Sequence, residues 1–99
     1  MAAYIVVNVH ITDESGYAAY WPLVPPTLEA YGGRFLARGG RAQRLEGSGT
    51  PGRMIVLEFP SYEQALAWYE SEEYAPAKRR RLASADAEMI IVEGVESLA

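Results

Sequence analysis

Residues 3–12 read AYIVVNVHIT, and the alternation inside this run decides the fold. In an extended chain Ile5, Val7, Val9 and Ile11 point to one side, and Tyr4, Val6, Asn8 and His10 to the other. The first side is purely aliphatic and is expected to pack on helices. The second is mixed and is expected to meet a cavity, a partner or water.

Working outward, Asp13 is placed to cap a helix, with Glu14 in its first turn. Tyr17, Trp21, Val24, Leu28 and Tyr31 then recur at helical spacing. Pro22, Pro25 and Pro26 interrupt that stripe, and an interior proline removes a hydrogen bond at about 3 kcal/mol. The expectation is two short helices or one kinked helix, with Pro25 or Pro26 opening the second piece. Gly32-Gly33 is the stop signal.

Residues 34–38 (RFLAR) form the second predicted strand, which a bend at Gly39-Gly40 continues over Arg41 to Leu45. Residues 47–52 (GSGTPG) read as a hairpin connection. A phosphate cradle is the alternative, but no Gly-Lys-Ser/Thr ending follows and the loop leads into a strand. Residues 53–59 (RMIVLEF) are the third strand, ended by Pro60. Ser61 with Gln64 makes a capping box for a helix expected to bury Tyr62, Ala65, Leu66 and Tyr69, with Trp68 on a flank. A second turn or helix is expected from about Glu72 to Leu82, entered through Tyr74 and Pro76, and Ala87 to Val92 is the fourth strand, closed by Gly94.

The resulting order is β-α-β-β-α-β in a single domain over residues 1–99. Right-handed crossovers fold it into a ferredoxin-like α+β domain, a four-stranded antiparallel sheet with its helices on one face. The uncovered face would carry Val6, Leu36, Val56 and Ile90 or Ile91. At about 25 cal/mol per Å², leaving a few hundred Å² of such surface in water forgoes several kcal/mol. A homodimer through the open sheet faces is the expected remedy.

Composition supports this and narrows the function. Hydrophobic residues make up 49% of the 99, more than a small monomer hides easily, which points to a partner surface or a pocket. The net charge of −4 opposes binding to phosphate backbones, so no nucleic-acid partner is expected. The basic run Lys78-Arg79-Arg80-Arg81 reads first as a solvated helix end, with anion or partner binding as the alternative. No cysteine is present, which excludes disulfides and thiolate chemistry and fits a reducing, cytoplasmic setting. Neither a signal peptide nor a membrane span is expected.

Four segments, AYIVVNVHITD (residues 3–13), LVPPTLEAYGGRFLARGG (23–40), RMIVLEFPSYEQALAWYESEEYAPAKRRRLASA (53–85) and IIVEGV (90–95), resemble the family catalogued as domain of unknown function 1330. The most specific parts are residues 31–40 and 57–74. The resemblance implies the dimeric α+β barrel fold, a homodimer whose sheets face each other, and no established activity. Wider relatives of that superfamily include cofactor-free oxygenases of aromatic polyketides, muconolactone-isomerase-like enzymes and haem-degrading enzymes, and a shared fold does not choose among them.

Candidate chemistry is sparse. His10 is the lone histidine and, with an ordinary pKa of about 6.5, a candidate acid/base; the plainer reading is a strand-end surface residue. Arg38 and Glu58 are expected to meet across neighbouring strands on the open face, either as a polar pocket or as a surface pair contributing at most about 1 kcal/mol. Asn8 is a candidate hydrogen-bonding group. Trp68 and Tyr74 fall off the helical stripes and are candidates to line a ligand pocket. No metal site and no cofactor are expected. Two functions follow: a pocket for a small apolar or aromatic molecule with cofactor-free isomerase- or oxygenase-like chemistry, in which the catalytic candidates are Arg38, holding an anionic or carbonyl oxygen, and His10 and Glu58, which with Asn8 orient the ligand or shuttle a proton; or a non-catalytic dimeric accessory module.

Overall fold

The computed structural model describes residues 1–95. β1 (Ala3–Ile11) leads to α1 (Glu14–Tyr20), a 3₁₀ turn (Trp21–Leu23) and α2 (Val24–Ala30). β2 (Arg34–Arg38), β3 (Arg53–Phe59), α3 (Tyr62–Tyr69), α4 (Ala75–Ser84) and β4 (Ala85–Glu93) follow. The strands form one antiparallel sheet in the order β2-β3-β1-β4, so β1 and β3 are central. The helices lie on one face.

β1 behaves as its alternation demands. Ile5, Val7 and Val9 are buried under the helices, while Val6 and Asn8 are only half-buried and His10 is exposed. Each fully buried aliphatic side chain contributes about 1.5–3 kcal/mol, so this row anchors the core. Leu57 and Phe59 of β3 extend it, because the register sets Ile5 opposite Leu57 and Ala3 opposite Phe59.

Local signals account for the helix ends. The Asp13 carboxylate accepts from the Gly16 N–H, and the Ser61 hydroxyl accepts from the Gln64 N–H. The prolines sit where helices tolerate them, in the first turn of the 3₁₀ segment and of α2, which gives two short helices joined by a tight turn. Gly32, at φ 73°, takes the left-handed conformation that ends α2.

Three expectations need correction. β2 stops at Arg38, and residues 41–45 form no strand. Gly39 takes φ 69° and its N–H donates to the Met54 carbonyl, which turns the chain out of the sheet. β4 is longer than predicted, starting directly where α4 ends. The segment expected from Glu72 opens as a turn over residues 72–74 and continues as α4 from Ala75. α3 is rolled so that Ala65 and Trp68 are buried, Tyr62 and Tyr69 half-buried, and Leu66 exposed. The small Ala65 lets the helix approach closely, and the indole then fills the space between Phe59 and Tyr74, with ring centroids 5.5 and 4.1 Å away.

Candidate functional site

The decisive local feature is a bulge in β2. Phe35 pairs with Leu57, Ala37 with Val56 and Arg38 with Ile55, so Leu36 and Ala37 together face one residue of β3. Leu57 and Ile55 belong to the helix-facing row. Phe35 and Arg38 therefore both project to the helix side, and the Arg38 guanidinium lies 4.7 Å from the Phe35 ring centroid and 6.0 Å from that of Trp21.

This corrects the expected Arg38–Glu58 pair. Glu58 stays on the open face, directly opposite Arg34, whose Nε donates to its carboxylate at 2.6 Å. Arg34 is well exposed, so this is a surface pair. It is also the sole ion pair among the described residues. His10 is on the same open face, exposed and opposite Asp86 of β4. Of the three residues singled out for catalysis, the fold thus sets Arg38 on one side of the sheet and His10 and Glu58 on the other. Asn8 also faces the open side, where its Oδ1 accepts from the Gly52 N–H at 2.8 Å and pins the end of the long loop to β1.

Arg38 stands at the mouth of a cavity between sheet and helices. The inner part measures about 30 Å³, enough for a water-sized group, and is walled by Val7, Val9 and Leu57 below and by Tyr20, Val24 and Trp68 above. Tyr17, Trp21 and Arg53 form its outer wall and are shared with an adjoining space of about 170 Å³ that opens beside Ile11 and Glu14. A larger groove, about 240 Å³, runs between α3 and β4, but its walls are Ile5, Ala65, Leu66, Tyr69, Met89 and Ile91, with little polar to orient a ligand.

Three arginines reach the inner cavity in a graded series. Arg38 is exposed at the mouth, Arg53 half-buried, and Arg81 buried at the far side. Arg53 and Arg81 carry no functional signal that the spacing of isolated motifs could supply, and both were missed. The available signal was periodicity. Arg53 alternates with Ile55, Leu57 and Phe59, which puts it on the buried row, and Arg81 falls four residues after buried Ala77 and seven after buried Tyr74. The basic run therefore divides. Arg79 and Arg80 face solvent, Lys78 lies 4.2 Å from the Tyr69 ring centroid and donates to the Tyr69 carbonyl, and Arg81 turns inward.

The back wall is rigid. The Trp68 indole donates to Thr27 Oγ1 at 3.0 Å, and that hydroxyl donates to the Val24 carbonyl at 2.6 Å. The Ser71 hydroxyl donates to the Trp68 carbonyl and accepts from the Tyr74 N–H. Tyr20 and Tyr74 share a hydrogen bond of 3.0 Å, and Arg81 Nε donates to the Tyr74 hydroxyl at 3.3 Å. Trp68 thus reaches the cavity, whereas Tyr74, fully buried behind it, supports Trp68 and Arg81.

The phenols here are held neutral. Burial, then the neighbouring Tyr74, pushes Tyr20 far above the ordinary tyrosine value. Burial raises Tyr17 too, with the Arg53 cation beside it partly offsetting the shift. Burial alone would lower the Arg81 pKa, but Tyr74, Tyr20 and Tyr69 more than compensate, so the guanidinium stays charged. Among the described residues no cluster of three or more His, Cys, Asp or Glu is arranged to hold a metal ion. None of their helices is long and apolar enough to cross a membrane.

Similarity to known proteins agrees with this geometry. A protein of unknown function from Rhodopseudomonas palustris, RPA0582, superposes with a TM-score of 0.79 at 19% identity, covering 97% of this chain and 84% of that one. SnoaB, a cofactor-independent oxygenase from Streptomyces nogalater, gives 0.65 at 9% identity over 98% and 96% of the two chains. A conserved protein of unknown function from Bacteroides thetaiotaomicron, described as a possible oxidoreductase, gives 0.62 at 16% identity over 94% of this chain and 97% of that one. These identities establish a shared fold, that of the dimeric α+β barrel proteins, and nothing finer. No curated protein matches the chain in sequence. The model of the family described as domain of unknown function (DUF1330) matches residues 2–95, and the chain belongs to that family.

Proposed function

We propose that this protein binds a small organic molecule between the sheet and the helices of each subunit of a homodimer. The observation that carries the reading is the junction at Tyr17, Trp21 and Arg53. There a water-sized inner cavity meets a larger outer one, with aromatic surface and cationic nitrogen in the shared wall. A small number of convergent polar groups in an otherwise apolar concavity is what ligand sites are made of. Both spaces together fall short of the several hundred Å³ typical of drug-sized ligands, so the ligand is small.

The chemistry favours binding over acid–base catalysis by the protein itself. Tyr17 and Tyr20 are poor bases when held neutral, and neither His10 nor Glu58 reaches this side of the sheet. Isomerase- or oxygenase-like turnover in this cavity would have to draw on the ligand's own reactivity, with the guanidiniums steadying negative charge as it develops.

The open face supports the dimer. Val56, Val6 and Ile90 lie side by side across β3, β1 and β4, Ile90 is 60% exposed, and Leu36 and Val92 are also exposed. The proposal assigns His10, Glu58 and Asn8 to the rim of that interface. Native mass spectrometry of the purified protein tests both halves: a dimer carrying a small passenger is expected, whereas a monomer without one would contradict the reading.

A further inference from the structure

We infer that the ligand is a flat monocarboxylate of about single-ring size, held head-first by Arg53 and Arg38; this rests on the reading of the same cavity as a ligand site. Three guanidiniums line the inner cavity, and its walls contain no carboxylate. Glu14, the nearest acid in the walls, belongs to the outer space and forms no ion pair with them. The chain as a whole is acidic, so this local excess of positive charge runs against its average. Only Arg81 of the three is fully buried, Arg53 being half-buried and Arg38 exposed, and none of them has a carboxylate partner among the described residues.

Arg53 gives the sharper indication. Its Nε is buried with no hydrogen-bond partner, the sole such side-chain polar atom among the described residues. An orphaned donor of this kind in a native protein calls for an explanation, and an absent acceptor is the direct one. A guanidinium offers parallel N–H donors that match the two oxygens of a carboxylate. The chain also keeps room for that guanidinium. Gly39 faces it so closely that a Cβ at this position would collide with its terminal nitrogens, and Gly39 already needs a positive φ of 69°.

Size and polarity set the rest of the ligand. The inner cavity, about 30 Å³, holds a carboxylate head but no ring. The outer space, about 170 Å³, is comparable to cavities of about 150 Å³ that hold one benzene ring. Its Tyr17 and Trp21 walls suit a flat apolar body. Head and body are thus oriented by the order of the two spaces.

Isothermal titration calorimetry of the full chain with sodium benzoate, and with benzamide as its uncharged isostere, tests this. Benzoate is expected to bind at least tenfold more tightly than benzamide, and Arg53→Met to abolish the preference in a protein with native circular dichroism. Should Arg53→Met fail to fold, Arg38→Met at the exposed mouth carries the same test, with a severalfold loss of benzoate affinity expected. Equal binding of benzoate and benzamide would overturn the carboxylate assignment while leaving the cavity as a ligand site. Binding of neither would overturn both, and a charge preference unaffected by either variant would place the anion elsewhere and overturn this one.

Discussion

Phe35 and Arg38 point to the same side of β2 although they are three residues apart. Strict alternation would put them on opposite faces. The extra residue at the Leu36–Ala37 bulge resets the phase, so the last side chain of the strand faces the cavity rather than the open sheet. Gly39 follows immediately, in the left-handed conformation and against the Arg53 guanidinium.

Gly39→Ala should therefore be costly, and Gly40→Ala, which meets nothing within 4 Å, should not. The left-handed backbone alone costs a non-glycine residue about 1–2 kcal/mol, and the Arg53 guanidinium, the end of a flexible side chain, must also move aside. A melting temperature lowered by about 4–8 °C per kcal/mol is expected for Gly39→Ala, with Gly40→Ala close to wild type. Equal melting temperatures would show that neither the turn nor the close approach matters.

Thr27 is a second sensitive point, because its hydroxyl is the acceptor for the buried Trp68 indole. Thr27→Val keeps the shape and strands the indole N–H, at a cost of about 1–3 kcal/mol. Chemical denaturation should show that loss, and a smaller one for Thr27→Ser. A Thr27→Val protein as stable as wild type would mean that the indole finds another partner.

Tyr17 and Tyr20 predict alkaline sensitivity. Their folded pKa values are raised above the ordinary tyrosine value of about 10, so the stabilisation they supply is complete below about pH 10. It is lost as the pH rises from there towards the folded values. Spectrophotometric titration should show exposed phenols ionising first and a second group ionising only as circular dichroism is lost. All seven tyrosines titrating together near pH 10 in a native fold would contradict this.

The fold was legible because one side of β1 is aliphatic throughout and because Asp13, Ser61 and the prolines mark helix starts by local chemistry alone. The site was less legible, for two physical reasons. A bulge shifts strand phase by one residue, and RFLAR contains no glycine or proline to announce it. The glycine pair that suggested a bend lies after the strand has ended. Trp68 was read as a pocket candidate, but its full burial was not, because helix roll depends on the partner surface: Ala65 and the space beside Phe59 decide it, and neither is visible from α3 alone. Arg53 was within reach, since it continues the row of Ile55, Leu57 and Phe59, but a charge on a buried row is readily dismissed as a strand end.

The most direct measurement of where function resides uses the two tryptophans. Both border the inner cavity, Trp21 half-exposed at its outer wall and Trp68 buried at its back. In ¹H–¹⁵N spectra recorded while benzoate is added, both indole signals are expected to shift together and to saturate, with Trp21 moving more. Unmoved indole signals alongside shifts at Val6, Val56 and Ile90 would put the ligand on the open face of the sheet and contradict the account.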